Sequence, residues 1–267
     1  MSRLFDREAA MIVGPRGELG TRVTDLRFNF RVEKNLSSEP NALSLSVYNL
    51  NDRSIGFIQS EDAVITLQAG YRGMIENIFS GDVDHTEVTR QGPDRVTKIE
   101  SGDGSRAIES RVAFSFDSGT TVAEVVEKVM ASMSAKSVIG EIKGAMTDQF
   151  ANGFSASGLA KDVMDRLAAK MDFSWSIQDN EITVIPKTEA SDDVAIFVSP
   201  QTGLLGSPSP TEGGLVLNTL MLPKARPGKK INLSSRDYVG IYKISRVIHS
   251  GDTRGPQWGS EMEVAEL

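Results

Sequence analysis

Cysteine is absent from this 267-residue chain. That excludes a disulfide framework and thiolate chemistry, and it suits synthesis in a reducing cytosol. Histidine is nearly absent too, with only His85 and His249 as imidazole sources. No apolar run approaches the ~20 residues of a membrane helix. The early stretch "AAMIVG" (Ala9 to Gly14) is too short for a secretory core and follows acidic Asp6 and Glu8. Basic charge is also in deficit: Lys and Arg total 29 against 36 Asp and Glu, a net charge of −7. A nucleic-acid binder needs a basic face to neutralise phosphates, so that class is disfavoured. The one basic stretch, "PKARPGKK" (Pro223 to Lys230), carries two prolines and a glycine and reads as a solvated turn. Walker loops, zinc spacings, dinucleotide fingerprints and EF-hands are all missing.

What is present is an ordinary globular composition, 39% hydrophobic and 24% charged, in a chain long enough to bury a sizeable core. The first hundred residues read as β. In "DLRFNFRVE", Leu26, Phe28, Phe30 and Val32 alternate with Arg27, Asn29, Arg31 and Glu33. "ALSLSVYNL" repeats the pattern with Leu43, Leu45 and Val47. A period of two is the mark of a half-buried strand. Further strand-length segments, "AVITLQAGY", "NIFSGDVD" and "DRVTKIE", are separated by Gly-containing turns, which predicts an antiparallel sandwich or barrel.

The pattern changes near Gly104. "TTVAEVVEKVMASM" predicts a helix opened by a Thr121/Glu124 capping box, with Val122, Val125, Val126, Val129, Met130 and Met133 on one face. "SGLAKDVMDRLAAKM" predicts a second, with Leu159, Val163, Leu167 and Met171 in register. "FSWSIQDNEITVI" predicts a hairpin turning at Asp179-Asn180. Residues 105–190 therefore read as a small α/β module between β regions. "SPQTGLLGSPSPTEGG" (Ser199 to Gly214) reads as a loop or linker, after which β character returns. The two β regions echo each other. "ITLQAGYRG" (from Ile65) resembles "INLSSRDYVG" (from Ile231), and later turns carry Gly92-Pro93 and Gly255-Pro256. Duplication is one explanation and chance is the other.

Few constellations suggest chemistry. "RVIHSGDTRG" gathers His249, Asp252 and Arg254, and "SGDVDHTE" gathers Asp82, Asp84 and His85. Together they contain the donors of a His/carboxylate metal site. The competing reading is favoured: Ser-Gly-Asp marks a turn, with Gly supplying positive φ and Asp bonding its own backbone. "GFSAS" (Gly153 to Ser157) approaches a nucleophile elbow but ends in Ser and lacks a preceding strand, so its serines read as helix caps. Asp192-Asp193 and Glu261/Glu263 are the nominal carboxylate pairs for glycoside hydrolysis, and read better as solvated faces. Trp258 reads as core before surface anchor. No catalytic, cofactor-binding or metal-ligating residue is assigned.

The chain as a whole resembles the baseplate hub proteins of contractile-tailed bacteriophages. The resemblance rests on "LRFNFRVEKNLSSEPNALSLSVYNLN", on "SGTTVAEVVEKVM", and on the closing "GLLGSPSPTEGGLVLNTLMLPKARPGKKINLSS" and "GIYKISRVIHSGDTRGPQWGSEMEV". It implies a mainly β fold: two tail-tube-like β-barrel domains in tandem, at 1–104 and 191–267, with an α/β insertion at 105–190. The last barrel would recruit strands from about 105–117. It further implies a non-enzymatic, structural homotrimer with no cofactor. Three chains of two barrels would adapt a six-fold tail tube to a three-fold central spike and line the DNA conduit. Its partners would be tube protein, spike protein, tape-measure protein and other baseplate proteins, with DNA passing unbound and no membrane contact. The site of action would be the virion tail baseplate, or a tailocin, after synthesis in the host bacterial cytoplasm. The alternatives are a tail-associated peptidoglycan hydrolase and a carbohydrate-binding host-recognition module.

Overall fold

The computed structural model describes residues 6–133, 138–142, 146–187, 189–190 and 194–267. The chain is mainly β and opens with β1 (Arg7–Pro15), β2 (Thr21–Val23), β3 (Phe28–Asn35) and β4 (Asn41–Tyr48). Helix α1 (Asp52–Ile58) leads to β5 (Ala63–Tyr71), the long β6 (Met74–Gln91) and β7 (Asp94–Asp103). A middle segment follows, with α2 (Ser105–Ile108), β8 (Arg111–Phe116), α3 (Val122–Met133) and β9 (Val138–Ile142). It continues through β10 (Phe154–Leu159), α4 (Ala160–Met171), β11 (Phe173–Gln178) and β12 (Glu181–Pro186). The chain then forms β13 (Ile196–Val198), a 3-10 turn, β14 (Leu204–Thr211) and β15 (Gly214–Leu220). It finishes with β16 (Lys230–Ser234), β17 (Val239–Asp252) and β18 (Trp258–Glu266).

Two compact units result. One combines residues 1–35, 41–103 and 191–267, and the other 36–40 and 104–190. In the second unit, α3 begins as its sequence dictates. The Glu124 carboxylate accepts the Thr121 backbone N–H at 2.7 Å and the Thr121 Oγ1 accepts the Glu124 N–H at 3.3 Å. All six apolar residues of its inner face are buried. They pack with Val163, Met164 and Leu167 of α4 and with Phe173, Trp175 and Ile177 of β11. The β11–β12 hairpin turns on Asp179 and Asn180, both left-handed at φ 55° and 67°, which matches the twist of the flanking strands. Strand β8 pairs with β10 inside this unit and adds nothing to the large sheet. The serines of "GFSAS", Ser155 and Ser157, both lie within β10 and do not cap α4, whose N-cap is Leu159 without a side-chain bond. A strand placed directly before a helix leaves its serines pointing off the sheet face, where Ser155 bonds Ser115 at 3.0 Å.

The first unit is one thirteen-stranded sheet. Strands β3 and β4 bury every second residue, as the period-two pattern requires. The order β3-β4-β7-β6-β5-β1 in one half is matched by β14-β15-β18-β17-β16-β13 in the other. Each half is thus a hairpin joined through its second strand to a three-strand meander. The outermost strand differs: β1 runs antiparallel to β5 over nine residues, whereas β13 runs parallel to β16 over three. Each half buries its own core, one around Phe28, Leu45, Leu67 and Phe79, the other around Leu217, Ile231, Ile244 and Met262.

Two expectations are corrected. The sheet path ends at β2 and β14, and no ladder among the described residues closes either half into a hydrogen-bonded barrel. The stretch read as a linker, Ser199 to Gly214, instead contains the 3-10 turn and β14. Its prolines are tolerable because β14 is an edge strand, where a missing N–H on the open side removes no ladder bond. The hairpin closes at Gly214, whose φ of +150° and whose approach to the Val264 carbonyl leave no room for a Cβ.

Candidate functional site at the seam of the sheet

The two halves meet where β3 lies antiparallel to β17, from Arg246 opposite Asn35 to Asp252 opposite Asn29. Strand polarity sorts the side chains of this seam. Val247, His249 and Gly251 point inward beside Lys34, Val32 and Phe30, while Arg246, Ile248, Ser250 and Asp252 share the other face with Arg31 and Glu33.

The outward face carries two ionic clamps. Arg246 donates through Nε to Glu33 Oε1 at 2.9 Å, through Nη2 to the same oxygen, and through Nη1 to Glu263 at 2.7 Å. Arg31 reaches Glu33 at 3.2 Å. The hydrogen bonds from Arg246 hold the Glu33 carboxyl below its ordinary range. At the other end Arg27 grips Asp252 with both arms, Nη2 at 2.7 Å and Nε at 3.2 Å. The Asp252 carboxylate also accepts the Arg254 N–H at 2.9 Å and an Asn29 amide contact at 3.4 Å. These bonds, Arg27's foremost, lower the Asp252 pKa. The Arg27 guanidinium also sits 4.7 Å from the Tyr48 ring centroid, a cation–π contact.

The inward face is a packed core. Phe30 and Trp258 meet edge to face with centroids 5.5 Å apart. Trp258 is 7% exposed, as a core residue should be. His249 is 1% exposed, and its Nδ1 lies 2.8 Å from Ser260 Oγ, which in turn accepts the Leu222 N–H.

These placements separate the residues that sequence reasoning had grouped. His249 faces the interior. His85 lies on the outward face, in the row Ser250–Arg31–Ser44–Glu100–His85, roughly 19 Å across four strand spacings. Asp82, three residues before His85 on β6, is buried and paired with Arg16. Among the described residues no cluster of three His, Asp or Glu side chains could hold a metal ion. Glu263 is committed to Arg246, and Glu261 stands exposed on the same face. Asp192-Asp193 lies outside the described residues.

The turn reading of Ser-Gly-Asp holds at Asp252, whose carboxylate accepts the Arg254 N–H two residues on, and fails for Gly81 and Gly251, neither of which has a positive φ. Ser80-Gly81-Asp82 lies inside β6, and Ser250-Gly251-Asp252 ends β17, which runs three residues beyond His249. A third copy, Ser101-Gly102-Asp103, ends β7 with Asp103 fully buried beside Asn41 at 3.3 Å. Gly251 is needed for close approach, not for positive φ: a Cβ there would stand 2.5 Å from Phe30 Cζ and 2.7 Å from Trp258 Cε3. Sequence reasoning assigned no role to Arg27, Glu33 or Arg246, and weighed Glu263 only as half of a nominal carboxylate pair. Their only signal was alternation of charged residues with apolar ones, which every amphipathic strand shows.

Residues 39–237 match the family model for baseplate hub gp41. The chain belongs to the baseplate hub gp41 family. It is a phage tail baseplate component by that membership, and among the described residues no helix is long and apolar enough to cross a membrane. Solved structures share the fold of this hub protein at low identity. The 43 kDa tail protein of prophage MuSo2 from Shewanella oneidensis is 10% identical, with a TM-score of 0.68 over 97% of this chain and 98% of its own. A tail protein from Neisseria meningitidis MC58 gives 0.64 at 10% identity, over 97% and 96%. The E. coli c3393 protein gives 0.65 at 11% identity, over 96% and 76%. It is described as a type VI secretion system component similar in structure to the T4 bacteriophage tail proteins gp27 and gp5. No curated protein matches the sequence.

Proposed function

We propose that this hub protein is a non-enzymatic adaptor in which two tube-like half-sheets per chain form part of a trimeric ring. Such a ring presents six similar half-sheets, and so reconciles a six-fold tail tube with a three-fold spike. The observation that carries the reading is the repeated strand order, β3-β4-β7-β6-β5 and β14-β15-β18-β17-β16, within one continuous sheet. Heterologous contacts between such repeats close when the rotation per repeat divides a full turn. The tube-facing domains would then be residues 1–104 and 191–267, with 105–190 as the insertion. Partners would be tube, spike and tape-measure proteins, in a contractile tail or a tailocin.

In this reading the outward face of the seam lines the conduit. Its central cations are all occupied: Arg27 by Asp252, Arg31 and Arg246 by Glu33, and Lys98 by Glu87 at 3.3 Å. Glu100 and Glu261 on the same face have no salt-bridge cation among the described residues. A wall of that kind repels phosphate and lets DNA pass without sticking. The test is solution mass, measured alone and with the tube protein. A species of about three times 28.9 kDa, or co-assembly with the tube, is expected. A chain that stays monomeric in both settings and clears a cell-wall suspension overturns the reading in favour of a hydrolase.

A further inference from the structure

The repeat within the sheet fixes which edges of the hub chain are left unpaired. The extra residue of the β6–β7 ladder is Asp84, between Val83 and His85; that of the β17–β18 ladder is Ser245, between Ile244 and Arg246. These bulges occupy equivalent places, so His85 corresponds to Arg246, and their partners Glu100 and Glu263 correspond as well. Working across each half, Arg31 pairs Ser44, which pairs Glu100; Ser209 pairs Val216, which pairs Glu263. Arg31 of β3 therefore corresponds to Ser209 of β14.

In β17 the edge that leaves β16 after Lys243 is taken up at once by β3, over Arg246 to Asp252. In β6 the corresponding edge leaves β5 after Asp82, and residues 85–91 then have no second ladder partner among the described residues. The strand equivalent to β3 is β14, which ends the sheet path with its outer edge open. One chain thus has a donor edge and a receptor edge whose internal copies are already joined to each other. The other terminal strands, β2 and β13, span three residues each and offer little to pair.

We infer that β14 of one hub subunit docks antiparallel on β6 residues 85–91 of a second copy of this chain, reproducing the β3–β17 seam between subunits. This rests on the ring proposed above and names the strands that would form its joints. The register follows. Arg31 lies opposite Ser250, four residues past Arg246, so Ser209 lies opposite Thr89, four past His85. The Thr253 N–H bonds the Phe28 carbonyl, so alternation directs Phe30 and Val32 at Gly251 and His249. Their counterparts are Pro208 and Pro210, facing Arg90 and Val88. Proline accepts but does not donate, so the joint takes N–H groups of Arg90 and Val88 onto proline carbonyls and lacks the return bonds. The same prolines block indiscriminate pairing at an exposed edge.

The absence of cysteine makes a clean test. Thr89 and Ser209 would be a non-hydrogen-bonded antiparallel pair, whose ~4.5 Å Cα spacing lies within disulfide range. Full-length T89C and S209C are mixed, oxidised at concentrations where sedimentation shows oligomers, and run without reductant. Disulfide-linked dimers are expected from the mixture, at least about tenfold above either variant alone and above a T89C/T211C mixture shifted by two residues, ~6.8 Å along the strand. The double variant T89C/S209C should give a ladder that stops at the ring size. Oligomers of the expected mass without matched-register crosslinks overturn the strand pairing and leave the ring standing. A chain that forms neither oligomer nor crosslink, alone or with the tube protein present, removes both.

Discussion

Replacing Asp252 by Ala should loosen the seam by about 3 kcal/mol. The carboxylate, 7% exposed, accepts two bonds from Arg27, one from the Arg254 amide and a long one from Asn29. Hydrogen bonds to a charged group contribute ~1.5–3 kcal/mol each, but they are not additive here. The Arg27 side chain is 36% exposed and recovers water when its partner goes, which keeps the total to about 3 kcal/mol rather than twice that. Asp252→Asn keeps shape and one acceptor, and should cost about half as much. Urea unfolding reads this locally, because the two tryptophans fall in different units: Trp258 at the seam, Trp175 in the α/β unit. In a Trp175→Phe background, with a slope of ~2 kcal/mol/M, the Trp258 midpoint should fall by about 1.5 M. The pH dependence has a definite sign. The folded-state pKa of Asp252 lies below the ordinary value, so its contribution is complete above the unfolded pKa of ~3.9 and is lost as pH falls through the lower folded value. The gap between parent and Asp252→Asn should therefore narrow with acidification below pH 4. An unchanged Trp258 midpoint at pH 7, or an undiminished gap at low pH, would refute the clamp.

Two further substitutions probe packing and capping. Gly251→Val places a branched side chain where even a Cβ meets Phe30 and Trp258 within 2.7 Å, and should destabilise the first unit by about 3 kcal/mol. Trp258 fluorescence with a parent-like urea midpoint would show that the rings can move aside. Thr121→Ala removes the Oγ1 that accepts the Glu124 N–H and should cost about 1 kcal/mol, seen as a lower midpoint for the Trp175-reported unit with no change at Trp258.

The legible parts of this protein were those in which the structural cause is local. Alternation along β3 and β4, the Thr121/Glu124 box, the face of α3 and the Asp179-Asn180 turn each depend on residues within a few positions of one another. The misread parts depend on distant neighbours. Ser-Gly-Asp is common turn chemistry, and nothing near Gly251 in sequence reveals that Phe30, more than two hundred residues earlier, occupies the space a side chain would need. The prolines of β14 look like a linker until the strand is seen to be an edge. The clamps at Arg246 and Asp252 join residues 213 and 225 positions apart. The echo between Ile65 and Ile231 was visible, yet only the strand pairing shows that it marks equivalent strands and that the two histidines are not equivalent: His85 corresponds to Arg246, not to His249.

That last correspondence bears on how the two kinds of seam would behave. Within the chain, Arg246 holds Glu33 and Glu263 together across β3, β17 and β18. At the inferred joint between subunits the matching positions are His85, Thr211 and Glu100, so the guanidinium clamp is missing. The prolines of β14 remove two return bonds as well. The internal seam is therefore the strong one, while the external seam proposed above would be weak. A weak heterologous contact does not capture stray copies at low concentration, but three of them closing one ring reinforce each other, because the last contact forms intramolecularly at high effective concentration. In the proposed ring, an edge of that design would keep single subunits apart until neighbours in the baseplate bring them together.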